Sequence, residues 1–227
     1  QGGLISGGGG TEEQGFGTFR YGGKLADDFY YRVFGKGFNR DKQFSSEGDP
    51  NDQWWGGSGG LRLDWYPSEQ NTLTLDAGYG RSETGTNDRF PLTDGPPFAV
   101  NIPEKDTTEV EHVLALWSLE LDPDSGWKLQ AYWDGWQRED THHFRDTRFD
   151  TFDLDFQHQF PLGARQTFVW GLGYRYVEAD LHNSQNDGGF FLSWLDNDPH
   201  MQVFSGFVQD QIALVEDRLS LTLGTKV

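Results

Sequence analysis

Apolar and polar residues alternate one by one along most of this chain. At residues 61–65 the odd positions are apolar and the even positions, Arg62 and Asp64, are charged. A β-strand points successive side chains to opposite faces, so such a stretch has one apolar and one polar face. The alternation recurs at residues 73–79, 127–134, 152–157 and 219–226. The pattern predicts an all-β protein.

The connections between these segments alternate in length. Short segments rich in turn-forming residues lie at residues 26–28, 67–71, 122–126, 161–164 and 215–218. Longer polar segments lie between them, at residues 41–53, 82–107, 140–146 and 180–199. About eleven strands result if a glycine-rich strand at residues 2–10 is included. This order predicts an antiparallel up-and-down meander with tight turns on one rim and long loops on the other.

The polar faces carry ionised groups strand after strand, and this bears on which face is inside. A soluble sandwich or small filled barrel keeps its apolar face inside. Strands of about ten residues can cross a bilayer when tilted, and a large barrel places lipid outside and water inside. We therefore predict that residues 1–227 form part of an antiparallel up-and-down transmembrane β-barrel. A soluble β-sandwich or barrel remains the alternative.

The alternation assigns side chains to the two sides of this wall. The residues predicted to face lipid are Leu61, Leu63, Trp65, Leu73, Leu75, Trp117, Leu119, Trp133, Phe152, Leu154, Phe156, Trp170, Leu172, Tyr174, Leu221 and Leu223. The residues predicted to face the lumen are Arg32, Lys36, Arg62, Asp64, Asp76, Lys128, Asp134, Asp153, Asp155 and Arg175. Residues 112–121 are apolar on both faces, and residues 201–214 do not keep one parity, which indicates a bulge in the second stretch.

The composition of the chain excludes some kinds of membrane segment, partner and metal site. The mean hydropathy of −0.70 leaves no helical membrane span, whereas a barrel needs only every second residue to be apolar. Aromatic residues make up 15% of the chain and suit interfacial girdles, a packed core or a sugar-binding surface. The net charge of −18 argues against nucleic acid as a partner, and acidic loops explain it as solubilising charge. Without cysteine there is no thiolate metal site.

Local clusters indicate no catalytic or cofactor site. His142 and His143 are adjacent and lack further specified metal ligands, and residues 47–52 lack the spacing of a calcium loop. Trp54 and Trp55 are interpreted as a membrane-interface anchor, while Phe190, Phe191 and Trp194 could anchor or stack on a ligand. Asp153 and Asp155 could flank a glycosidic bond, but a water-filled lumen explains their alternation. We predict no enzyme activity, no resident metal and no cofactor.

Several segments resemble one protein family when their order and spacing are considered together. They are residues 1–6, 9–17, 20–24 and 28–36, then 61–65 with the turn at 67–68, and finally 206–211 followed by 217–219. These pieces are similar to the first barrel strands of TonB-dependent outer-membrane receptors. The resemblance covers essentially the whole chain.

The resemblance implies a function as well as a fold. Such receptors have a barrel of twenty-two strands around an N-terminal plug, and an inner-membrane TonB-type complex supplies energy for importing scarce nutrients, commonly ferric siderophores. It implies a location in the outer membrane of a Gram-negative-type bacterium, in contact with lipid, the plug, the energy-coupling complex and a siderophore-like ligand. The plug, the energy-coupling box and the second half of the barrel have no counterpart here, so we expect a barrel fragment. A passive porin and a soluble glycan-binding or glycan-cleaving domain are the alternatives.

Overall fold

The computed structural model describes residues 2–46, 48–92, 95–122, 124–140, 145–183, 198–216 and 218–227. These residues form one sheet of eleven antiparallel strands, in which each strand pairs with the next one in sequence. The strands are β1 (Gly2–Gly8), β2 (Glu13–Ala26), β3 (Phe29–Arg40), β4 (Trp54–Ser68), β5 (Asn71–Pro91), β6 (Ala99–Asp122), β7 (Ser125–Asp140), β8 (Arg145–Pro161), β9 (Gln166–Asn183), β10 (His200–Val215) and β11 (Leu219–Lys226). The predicted all-β meander is confirmed. No described helix is long and apolar enough to span a membrane.

The five predicted tight connections all join consecutive strands, namely β2–β3, β4–β5, β6–β7, β8–β9 and β10–β11. The prediction of a long loop over residues 82–107 is wrong. The strands β5 and β6 continue through this region and stay paired as far as Pro91 and Ala99. Charged pairs such as Arg81 with Glu109 replace apolar side chains here, so the alternation in hydropathy fades although the strands continue.

The two strands in which the alternation is irregular, β6 and β10, keep a regular pairing through most of their length. β6 keeps an unbroken register against β5, and its register against β7 shifts only between Glu120 and Asp122. β10 keeps an unbroken register against β9. Its register against β11 shifts only between Ala213 and Val215, close to the tight turn. The irregular parity of β10 therefore reflects mixed side chains on a regular strand, and the predicted bulge is confined to its end.

Phenylalanine and glycine face each other at several positions of the sheet. Phe34 pairs in register with Gly60, and Phe38 pairs with Gly56. A Cβ atom on Gly60 would lie 2.6 Å from the ring of Phe34. These rings lie over the glycine backbone, an arrangement that supports strands that would otherwise lack side-chain packing.

The sheet has no hydrophobic core of its own. Among the described residues only two apolar side chains, Ala179 and Leu181, are buried. The accessible surface is 15536 Å², against about 10,500 Å² expected for a compact monomer of this mass. Large apolar side chains such as Leu172 and Leu223 are more than half exposed. Both faces of the sheet are therefore open.

Candidate functional site

The register divides the side chains between two faces. Residues paired across an antiparallel ladder lie on the same face, as do alternate residues along a strand. Leu63 pairs with Leu75, while Arg62 pairs with Asp76. Followed from strand to strand, the ladder places all sixteen side chains predicted to face lipid on one face, which we name the apolar face. All ten predicted to face the lumen share the other, the polar face.

The apolar face changes character along a straight line across five strands. One row of cross-strand neighbours is entirely apolar or aromatic and consists of Ala77, Val113, Trp133, Phe152 and Tyr176. Four residues further toward the long loops, the corresponding row consists of Arg81, Glu109, Gln137, Arg148 and Asp180. The apolar part thus ends at one level on neighbouring strands. We name the polar zone beyond it the charged rim.

Ion pairs fix the charged rim in place. The Arg148 guanidinium donates from Nε to Asp150 Oδ2 at 2.6 Å and from Nη2 to Glu111 Oε1 at 2.8 Å. These hydrogen bonds, first to Asp150 and then to Glu111, raise the pKa of Arg148 above its ordinary value. Trp133 Nε1 donates to Asp150 at 3.1 Å, which ties the last aromatic row to the rim. Arg148 is therefore a permanently charged centre on this face.

Aromatic side chains cluster at the end of the apolar part that is farther from the charged rim. The rings of Trp117 and Trp127 are 4.9 Å apart, and those of Phe156 and Trp170 are 5.3 Å apart. Trp170 Nε1 donates to His158 Nδ1 at 3.2 Å. We name the segment that extends from the charged rim through these aromatic side chains the apolar belt. Amphipathic rings at such a boundary are typical of a membrane interface.

The height of the apolar belt can be estimated on β8. On the apolar face this strand carries apolar or aromatic side chains from Phe152 to Phe160. Eight steps of about 3.3 Å give about 26 Å along the strand. A tilt of about 40° reduces this to about 20 Å, close to the roughly 25 Å apolar band of outer-membrane barrels. The belt is therefore slightly shorter than such a band.

The polar face carries hydrogen-bonded charges in two of the predicted places. Arg62 donates from Nε to Asp64 Oδ2 at 3.0 Å, and Thr74 Oγ1 donates to Asp64 Oδ1 at 2.8 Å. Arg175 donates from Nε to Asp153 Oδ2 at 2.8 Å and from Nη2 to the Tyr132 hydroxyl at 3.0 Å. The sequence predicted that such charges would pair across neighbouring strands. The structure brings Asp153 and Arg175 together across strands, whereas Arg62 and Asp64 pair along one strand.

Other predicted residues of the polar face are not joined to partners within the part of the chain that the structure describes. No hydrogen bond or ion pair involves the side chains of Arg32, Lys36, Lys128, Asp134 or Asp155 there. Asp76 pairs with a residue that the alternation did not single out, because its Oδ1 lies 2.9 Å from His112 Nε2. His112 lies on β6, the strand with apolar residues on both faces, so periodicity could not assign it.

The two adjacent tryptophans do not act as one anchor. Trp55 lies on the apolar face, whereas Trp54 lies on the polar face opposite Arg40. The rings of Trp54 and Phe38 are 4.4 Å apart, and the Arg40 guanidinium lies 4.7 Å above the Trp54 ring. The anchor interpretation is therefore wrong for Trp54. Adjacent residues of a strand must point to opposite faces, and only the register shows which of the two faces the polar side.

The loop at residues 48–52 is held in place by hydrogen bonds to other parts of the chain. Asp49 accepts hydrogen bonds from Lys42 Nζ and from the backbone N–H of Asn51, and these lower its pKa, the lysine more than the amide. Asn51 Nδ2 donates to the carbonyl oxygens of Thr86 and Glu104, which docks the loop on β5 and β6. Among the described residues, no three His, Asp or Glu side chains converge as a metal site. Glu47, His142, His143, Phe190, Phe191 and Trp194 lie outside the described residues.

Several solved structures with this arrangement of strands are outer-membrane receptors or transporters. A mutant of the ferric enterobactin receptor PfeA from Pseudomonas aeruginosa is similar with a TM-score of 0.69 and 16% identity, over 99% of this chain and 38% of that one. The siderophore receptor PirA from Acinetobacter baumannii has a TM-score of 0.65 and 14% identity, over 93% and 35%. This chain has the fold of an outer-membrane barrel wall. The resemblance to TonB-dependent receptors is thus confirmed at the level of the fold.

A more distant structural relative has the same fold. The outer membrane transporter YddB from Escherichia coli matches with a TM-score of 0.53 and 12% identity, over 93% of this chain and 33% of that one. No family model matches the sequence, and no curated protein matches it. The chain spans about a third of the length of the solved structures that it resembles.

Proposed function

We propose that this chain is part of the wall of a TonB-dependent outer-membrane receptor that imports a scarce nutrient by energy-coupled transport. The nutrient class that we propose is a ferric siderophore, because the structural relatives PfeA and PirA are named as receptors for such ligands. In this proposal the sixteen residues of the apolar face contact lipid, and the ten of the polar face line the lumen. The plug and the TonB-type energy-coupling complex would be contacted through other parts of the receptor.

The observation that carries the proposal is the apolar belt with its straight upper boundary. A soluble sandwich would need a second layer over the apolar face, yet only two apolar side chains are buried in the described part of the chain. In a bilayer, the same exposed side chains are in their favoured solvent. A change from Trp133 and Phe152 to the ion pairs of Arg148 at one level is what the edge of a lipid layer imposes.

The polar face supports the assignment of a water-filled side. Arg175 stays half exposed while it is hydrogen-bonded to Asp153 and Tyr132. Burying such groups against lipid without partners would cost several kcal/mol each, of the order of 2–4 kcal/mol for a cation at the midplane. The charges at Arg62 and Asp64 on β4 and at Asp153 and Asp155 on β8 are therefore compatible with water or a polar protein segment on this side, and not with acyl chains.

Uptake by the intact receptor tests the transport function. The receptor would be expressed in an outer membrane that lacks other iron receptors, and uptake of radioactive iron would be followed with enterobactin as the chelator. We expect uptake that saturates at low ligand concentration and stops when a protonophore collapses the proton gradient. A matched culture without the receptor gives the background.

Two results would contradict the proposal. Linear uptake that is indifferent to the protonophore would indicate a passive porin. A protein that stays in the water-soluble fraction with its aromatic side chains shielded would indicate a soluble β domain.

A further inference from the structure

Three cations stand close together on the polar face of β2 and β3. Arg20 pairs in register with Phe34, so Arg32 and Lys36 are its diagonal neighbours, about 7–8 Å away. Among the described residues, none of the three makes a hydrogen bond or an ion pair. Like charges at neighbouring positions of a sheet are unfavourable. The charge of Arg32 is partly balanced by the nearby Asp64 carboxylate, so Arg20 and Lys36 carry most of the patch. In a chain of net charge −18, this positive patch indicates an anionic partner.

A groove begins at the edge of this patch. Its volume is about 350 Å³, and Lys36 lies at one side of it. The floor consists of small residues on β4 and β5, namely Gly56, Ser58, Gly80 and Ser82. A Cβ atom on Gly80 would lie 3.1 Å from Val110 Cγ2 and 3.3 Å from Ser58 Cβ. The absence of side chains therefore creates the depression.

The walls of the groove are apolar and aromatic. Phe38 and Trp54 form one side in an edge-to-face arrangement, with ring centres 4.4 Å apart. Val110 forms the opposite side. Arg40 lies over the Trp54 ring and is itself paired with Glu13 at 3.1 Å, so it positions the ring and is already neutralised. Arg81 also lines the groove and is paired with Glu109 at 2.9 Å. Among the described residues of the groove, Lys36 is therefore the cation without an ion pair.

We propose that this groove binds a flat, negatively charged aromatic group of the imported ligand. The ring would lie on the glycine and serine floor beside Phe38 and Trp54, its anionic oxygen would accept from Lys36 Nζ, and the hydroxyls of Ser58 and Ser82 would serve polar substituents. This rests on the proposed function, because it names the chemistry of the ligand that enters the lumen. The groove favours a small aromatic molecule over a protein carboxylate. An Asp or Glu side chain could pair with Lys36, but it has no ring to fill the floor beside Phe38 and Trp54.

Two probes of equal shape separate charge from ring contact. The protein in lipid nanodiscs would be titrated with 4-fluorobenzoate and with the neutral 4-fluorobenzamide, and binding would be followed by fluorine NMR. We expect tighter binding of the benzoate, by about tenfold, as for a charge-assisted hydrogen bond. Lys36→Gln should remove this preference. Lys128→Gln, which removes a lysine of the polar face on β7, should retain it. Trp54→Leu should weaken both probes.

Three outcomes would overturn the proposal. One is equal binding of the two probes by the unmodified protein. Another is the same small effect for Lys36→Gln and Lys128→Gln. The third is a Lys36→Gln variant that loses stability while benzoate binding is unchanged, since the lysine would then pair with a protein carboxylate. Spin labels on the apolar face report the membrane location separately. If the titration fails while these labels are exposed to lipid, the groove proposal is overturned and the proposed barrel wall is not.

Discussion

Asp153 and Arg175 illustrate how single charges are held on a face that has no core. Their side chains lie directly opposite each other on β8 and β9, and Tyr132 on β7 extends the row to a third strand. Asp153 is 14% exposed, whereas Arg175 is 50% exposed. Water therefore screens much of their attraction, and the pair serves mainly to fix the direction of the arginine.

A double-mutant cycle measures this pair. Asp153→Asn, Arg175→Gln and the double variant should give a coupling free energy of about 0.5–1 kcal/mol, small because the arginine is half solvated. The free energy of unfolding from lipid vesicles in guanidinium is the measurement. A coupling that vanishes at low salt would show that the two side chains do not interact.

The two faces also predict opposite responses to the same substitution. Leu154→Arg places a cation in the apolar belt and should cost about 2–4 kcal/mol if that face contacts acyl chains near the midplane. Gln157→Arg, on the polar face of the same strand, should cost less than about 0.5 kcal/mol. Unfolding from vesicles compares the two. Equal costs would contradict the assignment of the faces.

At this scale the sequence predicts which side chains share a face and little about their partners. Alternation alone placed Arg62 and Asp64 together. It could not find His112 beside Asp76, because that contact runs diagonally between strands and depends on register. The same is true of Arg148 with Glu111, which are far apart in sequence. Register is a property of the assembled sheet.

At the scale of elements, phenylalanine–glycine pairs stand out in the strands with many glycines. Gly60 lies under the ring of Phe34 and beside the carbonyl of Ala77. Gly17, on the other face, has open space around the position of a Cβ atom. The two glycines therefore differ in what they do, although the sequence shows them alike.

Alanine substitutions should separate the two glycines. Gly60→Ala would force a Cβ atom to 2.6 Å from the Phe34 ring and 2.8 Å from the Ala77 carbonyl, so we expect a loss of about 1–3 kcal/mol in unfolding free energy. Gly17→Ala should be neutral or slightly stabilising. Thermal unfolding in one detergent compares them. A Gly60→Ala variant as stable as Gly17→Ala would show that the ring moves aside freely.

The loop between β3 and β4 should respond to acid. The hydrogen bonds to Asp49 lower its pKa below the ordinary value of 3.8, so its contribution is present above that pH and is lost as the pH falls through the lowered value. A spin label at Ser46 should be ordered at neutral pH and become mobile only under stronger acid. Asp49→Asn should make it mobile at neutral pH, whereas Asp124→Asn, in another turn, should not. A label that is equally ordered in all three proteins would contradict this role.

Turn chemistry predicted the tight connections better than hydropathy predicted strand ends. Each short connection contains proline, glycine or aspartate, and every one of the five joins two strands. The strands within residues 82–107 were not predicted, because strands beyond the apolar belt do not need an apolar face. Backbone pairing continues there with Lys105 and Glu83 side by side, so polarity alone does not indicate a loop.

At the level of the whole molecule, both faces of the sheet are open, and the proposed barrel wall accounts for this with lipid on one side and water on the other. The sheet buries almost none of its apolar side chains against itself, and its two edge strands, β1 and β11, each pair on one side only within the described residues. Exposed edges favour pairing with further strands. The fold relatives, which are about three times as long, have the same meander within an outer-membrane receptor.

The environment of the apolar belt decides whether this face of the sheet contacts lipid. Spin labels at positions 63, 75, 154 and 221, in place of Leu63, Leu75, Leu154 and Leu221, would be examined in the lipid-reconstituted receptor for collisions with oxygen and with a polar relaxation agent. We predict that all four labels are accessible to oxygen and shielded from the polar agent, because they contact acyl chains. Labels shielded from both would place these side chains in a protein core and contradict the membrane assignment.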